Sequence, residues 1–345
     1  MVGSNRLEGL QVARAFAALI VAYFHSYMIF RGWPQADVFP IPGLKEHGYL
    51  GVNFFFAISG YVISHVCGKS TFSVRDFLIK RFFRLFPVYW AIVLAAVILK
   101  LFGVVMQTSY KLLPILYSMT LLPHQEGSAP FLAVTWSLEF EIMFYLLAVL
   151  IVPLFRVWGL AAVLFGLVYW AYVAPPEAFT FHLVRTLNSD FLAGVLAYLL
   201  RKPLSYIPSF LLILCGLFGY YAAVTFLVPF SGSLAGFLLV SGLASANWRW
   251  NAWPLRGLIK IGDASYSLYL LHYLIIWIFV AMTAKIGAPP AWTAEPMRLI
   301  YLAVCVWLSM LTFRFIERPM IEVGNRLAES RKHPLNARPH PSPGI

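Results

Sequence analysis

Arg14 and His25 stand eleven residues apart in the apolar run that follows the N-terminus. At about 3.6 residues per turn this is three turns, so the two side chains share a helix face, roughly 16 Å apart along its axis. Ionisable groups are costly inside a bilayer, and those retained there usually face a cavity or a partner. Two readings of His25 stand: a neutral imidazole acting as general base, or a histidine hydrogen-bonded to a neighbouring helix for packing alone. A later apolar run carries Trp136, Ser137, Leu138, Glu139, Phe140 and Glu141. Its two carboxylates point about 200° apart on a helix, so only one of them readily shares a cavity with His25. With the run entering from the outer side, Glu141 falls in the same half of the membrane as His25. There it would orient the imidazole and stabilise its protonated form; a glutamate paired with arginine or wetted at the interface is the plainer account. Lys80, Arg81 and Arg84 form a basic cluster in the connection between the second and third apolar runs. Arginine forks grip phosphate bidentately, although cytoplasmic anchoring against anionic lipid also explains such a cluster. Asp190, Asp263 and His272 are further ionisable residues inside apolar runs.

The elements that must hold these residues are membrane helices. Of 345 residues, 61% are hydrophobic and 12% charged, far too small a charged coat for a soluble domain of this size. The apolar residues come in blocks of about twenty, enough to cross a hydrocarbon core of roughly 30 Å. Backbone groups in lipid must be satisfied within the segment, so these blocks are helices. The pattern predicts an all-α integral membrane protein with about ten transmembrane helices. They fall at 10–30, 49–66, 84–104, 133–154, 157–174, 188–200, 208–227, 231–247, 262–284 and 297–317. The sixth is short and the eighth modest. Segment 112–122 is too short to cross and reads as interfacial or re-entrant.

The charge of +12 follows from 26 Lys and Arg against 14 Asp and Glu. The basic residues gather in connections that lie on one side if the N-terminus is inside, among them Lys69, Arg75, Arg156, Arg201, Lys202 and Arg256. That bias predicts N-in and C-in, with an even number of spans. No basic stripe with interleaved aromatics lies outside the spans, so no nucleic-acid partner is expected. Cys67, Cys215 and Cys305 lack the short spacing of a metal cluster and read as packed small residues; no metal site is expected. The first helix reads as uncleaved. The expected organisation is a transmembrane domain over 1–322 and a disordered cytoplasmic tail over 323–345.

Several pieces in order resemble the acyltransferase-3 family of bacterial membrane acyltransferases, and within it the exopolysaccharide O-acetyltransferase branch. Arg14 to Leu19 continuing to His25 is similar to the family's arginine, ten residues, then histidine. Gly51-Val52-Asn53-Phe54-Phe55-Phe56-Ala57-Ile58-Ser59-Gly60-Tyr61 follows, then Arg81-Phe82-Phe83-Arg84-Leu85-Phe86-Pro87. Trp136-Ser137-Leu138 with Glu141 and Phe144-Tyr145, Ser265 through His272, and Glu317-Arg318-Pro319 complete the pattern. The match runs from about residue 7 to 320. Two positions depart from it: Asn53 stands where many members carry an acid, and Glu139 where a small or amide side chain is usual. The soluble hydrolase-like domain fused to some members is not seen in this chain, so on this reading a second acyl-handling step belongs to another protein.

The resemblance implies an acyl-CoA-dependent O-acyltransferase of the bacterial cytoplasmic membrane. Its cosubstrate would be acetyl-CoA, with no permanently bound cofactor. The partners implied are acyl-CoA, a carbohydrate or lipid-linked glycan acceptor, and membrane lipids. Arg81, Arg84 and Lys80 would hold coenzyme A phosphates at the inner mouth, with the pantetheine arm along the Arg14–His25 face. His25 would be the base or an acyl carrier, with Glu141 fixing its tautomer and Arg14 beside them. Ser59, Tyr61, Trp136, Ser137, Tyr266 and His272 are candidate pocket or oxyanion residues. A transporter or flippase is the competing class, because intramembrane charges also mark substrate pathways. Other acyl groups, or a peptide, lipid or antibiotic acceptor, are the milder variants. Oligomeric state is not legible.

Overall fold

The computed structural model describes residues 5–31, 33, 41, 43–104, 112–123, 130–175, 182–248, 252–253, 255–286 and 290–330. These form helices and connections, with no strand among the described residues. In chain order the helices are α1 (Asn5–His25), α2 (Leu44–His47), α3 (Leu50–Cys67), α4 (Val74–Leu101) and α5 (Leu112–Ser118). Then come α6 (Trp136–Val173), α7 (Asn188–Leu199), α8 (Arg201–Leu204), α9 (Ser209–Phe226) and α10 (Ser231–Ser245). The last four are α11 (Leu255–Asp263), α12 (Ser265–Ile286), α13 (Ala294–Thr312) and α14 (Arg318–Glu329).

Among the described residues, seven helical segments are long and apolar enough to cross a membrane: Glu8–Phe30, Leu50–Cys67, Val74–Leu101, Ala133–Val173, Ser209–Phe226, Ser265–Lys285 and Ala291–Glu329. The molecule is thus a multi-pass helical membrane protein. Each of the ten apolar blocks read from the sequence falls on a helix, but they do not become ten separate long ones. α7 has 12 residues and α10 has 15, short of the roughly 20 a straight crossing needs. The fourth and fifth blocks lie together in α6.

α6 is not one rod. Arg156 takes φ 56° and ψ −170°, outside the helical region and strained for a residue with a Cβ, three residues after Pro153. The first limb starts beside segment 182–190, where Phe140 stacks on His182 at 4.2 Å. The second limb ends beside the same segment, where Tyr172 lines a cleft with Thr186, Leu187 and Ser189. The chain therefore folds back on itself at Arg156.

Contacts fix the relative directions of the helices. α3 runs against α1, with Gly51 on Ala17 and Val21 and, further along α3, Ser59 sharing a cavity with Arg14. α12 runs parallel to α1: Arg14 meets Ser265, and His25 meets His272. α3 and α7 run parallel and cross with their backbones touching. A Cβ at Gly60 would strike the Phe191 carbonyl, and one at Gly194 the Ala57 carbonyl. Small residues at such a crossing permit the close approach that drives helix association in lipid. Gly194→Leu is expected to cost about 3 kcal/mol, read as a lower denaturant midpoint in detergent. Gly166→Leu should leave the midpoint unchanged, because nothing lies within 4 Å of its position.

Two boundaries differ from the sequence reading. The basic cluster at 80–84 is not in a loop but in the early turns of α4, which starts after Ser73, whose side chain accepts the Asp76 N–H at 3.3 Å. This is an N-cap. At the other end, α14 carries the fold to Glu329, past the tail boundary expected at 323, because Gly324 and Ala328 are buried and Gly324 lies against Phe83 of α4. The rest of the expected tail, 331–345, lies outside the described residues. Segment 112–122, read as too short to cross, forms the seven-residue α5. It is tied to α4 by the Tyr89 hydroxyl donating to the Ser118 carbonyl at 2.7 Å.

Candidate active site

A narrow cavity of about 80 Å³ opens between α1, α3, α4, the first limb of α6 and α12. Arg14, Arg81, Arg84, Ser59 and Glu141 line it with Ser137, Tyr145 and Tyr266. Arg81 and Arg84 are three residues apart on α4, which puts both on one face. The Arg81 guanidinium sits 5.3 Å from the ring centres of both Phe77 and Tyr145, a cation–π clamp. Arg14 Nε donates to Ser265 Oγ at 3.1 Å. Glu141 Oε1 accepts from Ser59 Oγ at 2.7 Å and from the Tyr145 hydroxyl. Among the described lining residues, three guanidinium groups face one carboxylate. Such a site favours an anion.

His25 lies at the other end of the α1 face. Its Nδ1 is 3.0 Å from the Val21 carbonyl oxygen. A ring nitrogen at that distance from a carbonyl carries the proton, which leaves Nε2 with the lone pair. The fully buried His272 of α12 places Nε2 3.3 Å from His25 Nδ1, with ring centres 5.1 Å apart. The Tyr273 ring lies edge-on to His25 at 6.2 Å. Tyr269 connects the two regions: it lines the arginine cavity, and its ring centre is 5.6 Å from that of His272.

The expected pairing of Glu141 with His25 is not what the structure places. Glu141 sits at the depth of Ser59 and Arg14, bonded to Ser59 and Tyr145, and the imidazole neighbour of His25 is His272. The reason is helix phase and depth. Trp136 already packs on Phe56, so five residues later α6 has descended about 7.5 Å, past the level of His25. The two glutamates do point to different faces: Glu139 takes His182 Nε2 at 2.7 Å while Glu141 faces the cavity.

Lys80 is exposed and does not line the cavity that Arg81 and Arg84 share. Tyr61 is buried against Tyr198 of α7, and Trp136 is partly exposed against Phe56 and Phe140; neither lines the cavity. Ser137 and Tyr266 do, but both hydroxyls are engaged. Ser137 Oγ is 2.7 Å from Tyr269 Oη, and Tyr266 donates to the Leu85 carbonyl at 2.8 Å.

Sequence reasoning missed Ser265, Tyr145 and Tyr269 as site residues. Ser265, Tyr269 and His272 recur at four and three residues, a helical-face spacing that was available as a signal. Glu317 was also unassigned. It is fully buried in a π-helical turn, Phe313–Glu317, accepts from Ser267 Oγ at 2.6 Å, and is electrostatically coupled to Arg84 and Arg14. Such turns occur often at functional sites.

Residues 7–314, from α1 into the π-helical turn, match the family described as an acyltransferase domain. The chain belongs to the acyltransferase-3 family. It is 28% identical over 297 residues to the exopolysaccharide production protein ExoZ of Rhizobium meliloti, covering 80% of this chain and 90% of ExoZ. It is 24% identical over 331 residues to the peptidoglycan O-acetyltransferase OatA of Listeria monocytogenes, covering 80% of this chain and 52% of OatA. The chain thus spans most of ExoZ and about half of OatA. No solved structure matches it significantly.

Proposed function

We propose that this protein is a membrane O-acyltransferase that moves an acyl group, acetyl on this reading, from cytoplasmic acyl-CoA to a hydroxyl of an exported or cell-surface carbohydrate. The observation that carries the reading is the polarity of one helix face. Arg14 of α1 shares an arginine-rich cavity with Arg81 and Arg84, and His25 stands roughly 16 Å further along the same helix. A phosphate-bearing donor with a long thin arm fits that arrangement: charge at one end, reacting carbonyl at the other. The names of ExoZ and OatA, which concern exopolysaccharide and peptidoglycan, support a carbohydrate acceptor. The positive-inside bias and the parallel run of α1 and α12 support an N-in, C-in path of ten passes through the inner membrane. Those passes count both limbs of α6 and the short α7 and α10.

In the reaction, the acceptor hydroxyl approaches His25 from the outer side. His25 Nε2 takes the hydroxyl proton as the oxygen attacks the thioester carbonyl. The tetrahedral intermediate then expels coenzyme A sulfur, which receives the proton, and the ester is released. The Val21 carbonyl holds Nδ1–H and so keeps the lone pair on Nε2. The cavity is narrow as it stands, so side chains lining it must part to admit the arm. The test is release of radiolabelled acetate, or self-acylation, from acetyl-CoA by purified protein. Slow turnover by wild type is expected. Correctly folded protein that neither binds nor turns over any of a panel of acyl-CoAs, with or without glycans, overturns the proposal in favour of transport.

A further inference from the structure

Away from the arginine cavity, beginning on another face of α3 near its start, lie two cavities joined side by side. One, of about 440 Å³, is polar at its base: Asn53, Asp190, Ser189 and Ser233 line it, and Tyr49 and Tyr172 wall it. The other, of about 380 Å³, is an apolar slot between the second limb of α6, α7 and α10, lined by residues such as Phe165, Tyr169, Leu192, Leu196 and Leu234. Tyr172, Ser189, Phe230 and Ser233 belong to both, so the two form one continuous groove. Both volumes fall in the range of ordinary small-molecule sites.

The polar base is built, not incidental. Asp190 is 2% exposed. Its two oxygens accept from Asn53 Nδ2 at 2.6 Å and Ser233 Oγ at 2.7 Å, and Ser233 Oγ lies 2.7 Å from Ser189 Oγ. A carboxylate oxygen has two lone-pair sites, so each Asp190 oxygen can accept one more hydroxyl. Carboxylate, amide and hydroxyl groups between tyrosine walls suit a saccharide. Among the described lining residues of either cavity there is no lysine or arginine, which disfavours a phosphate head seated on Asp190. Phe165, Tyr169, Tyr172 and Leu234 of the slot are each more than half exposed, where a hydrocarbon chain can enter from lipid. The rim also leads to the reacting centre, because the Tyr49 ring stands 6.4 Å from that of Phe24, the residue before His25.

We propose that this groove is the acceptor site and that its occupant is a saccharide carried on a long hydrocarbon chain, the sugar on Asp190 and Asn53 and the chain in the apolar slot. The proposal rests on the acyltransferase reading and deepens it. It places donor and acceptor on different faces of α3, so the sugar seated on Asp190 is not itself the one acylated. A sugar further from the lipid reaches over Tyr49 and Phe24 to His25.

The test is photolabelling of the full-length protein in phosphatidylcholine nanodiscs. The probe is a disaccharide glycosidically joined to a twenty-carbon isoprenoid bearing a diazirine, used without acyl-CoA. Label is expected in the peptides covering 165–172 and 189–200. Unlabelled glycolipid should compete it away; phosphatidylglycerol and free disaccharide should not. Asp190→Asn should weaken labelling about tenfold, the effect of one lost charge-assisted hydrogen bond, and Leu196→Trp, which fills the slot, should abolish it. Leu196 is on the lipid-facing groove, so this variant decides the matter even where Asp190→Asn fails to fold. Equal competition by phosphatidylglycerol makes the groove an ordinary lipid slot and overturns the proposal. So does label elsewhere, or label unchanged by Leu196→Trp. Because the readout is binding, an acyltransferase with a soluble acceptor fails here yet still passes the acetyl-CoA test.

Discussion

His25→Ala is expected to lower acyl transfer by about 10²–10⁴-fold, the usual loss when a general base is removed, while the protein accumulates and elutes like wild type. The fold should tolerate it because His25 is the last residue of α1 and alanine is the best helix former. The ring donates only to a carbonyl of its own helix and meets His272. The measurement is transfer of radiolabelled acetyl to a glycan acceptor, with the variant's monodispersity checked in parallel. Activity above about a tenth of wild type in well-folded His25→Ala would remove His25 as the base. His272→Ala adds a comparison. If the two histidines act as a unit, the double variant is no worse than the worse single one; independent roles would multiply.

Arg81→Ala/Arg84→Ala is the second large effect. Each guanidinium gripping a phosphate contributes a charge-assisted hydrogen bond of about 1.5–3 kcal/mol, so KM for acetyl-CoA should rise at least a hundredfold with kcat changed far less. Acetyl-pantetheine, which carries the thioester without the nucleotide phosphates, separates binding from collapse. Wild type should strongly prefer acetyl-CoA over it, and the double variant should treat the two nearly alike. A double variant that loses activity equally on both donors would mean that the arginines hold the fold. Lys80→Ala, at an exposed residue that does not line the cavity, should keep wild-type KM.

The parts of the site legible in the sequence are those that one rigid helix determines. Arg14 and His25 share a face because three turns of α1 leave no alternative, and Arg81 with Arg84 shares one for the same reason. Relations between helices were not legible. Glu141 was set beside His25 because both fell in outer halves, but hydropathy fixes a helix's position in the bilayer only to within a turn or so. In the fold Glu141 shares the depth of Arg14, about three turns of α1 from His25, where it meets Ser59 and Tyr145 instead of an imidazole. Lys80 was grouped with its arginine neighbours because a basic cluster between apolar runs reads as loop. Once Ser73 caps α4, helical phase separates Lys80 from the two arginines. The fold-back at Arg156 was anticipated as a boundary between the blocks 133–154 and 157–174, with Arg156 in the connection. Nothing in the residue pattern showed that the turn is made without leaving a loop. The groove behind α3 was missed entirely, because Asn53, Asp190 and Ser233 are spread over three helices and meet only in the folded chain.

The shortness of α7 has a consequence for what surrounds Asp190. Its 12 residues span about 18 Å, roughly 12 Å less than a hydrocarbon core. Ten of the 12 are buried among neighbouring helices, so protein rather than a thinned bilayer makes up the shortfall. Asp190, in the first turn, is met there by Asn53 of α3 and Ser233 of α10. Packing, and not the length of the surrounding lipid chains, sets where that carboxylate lies.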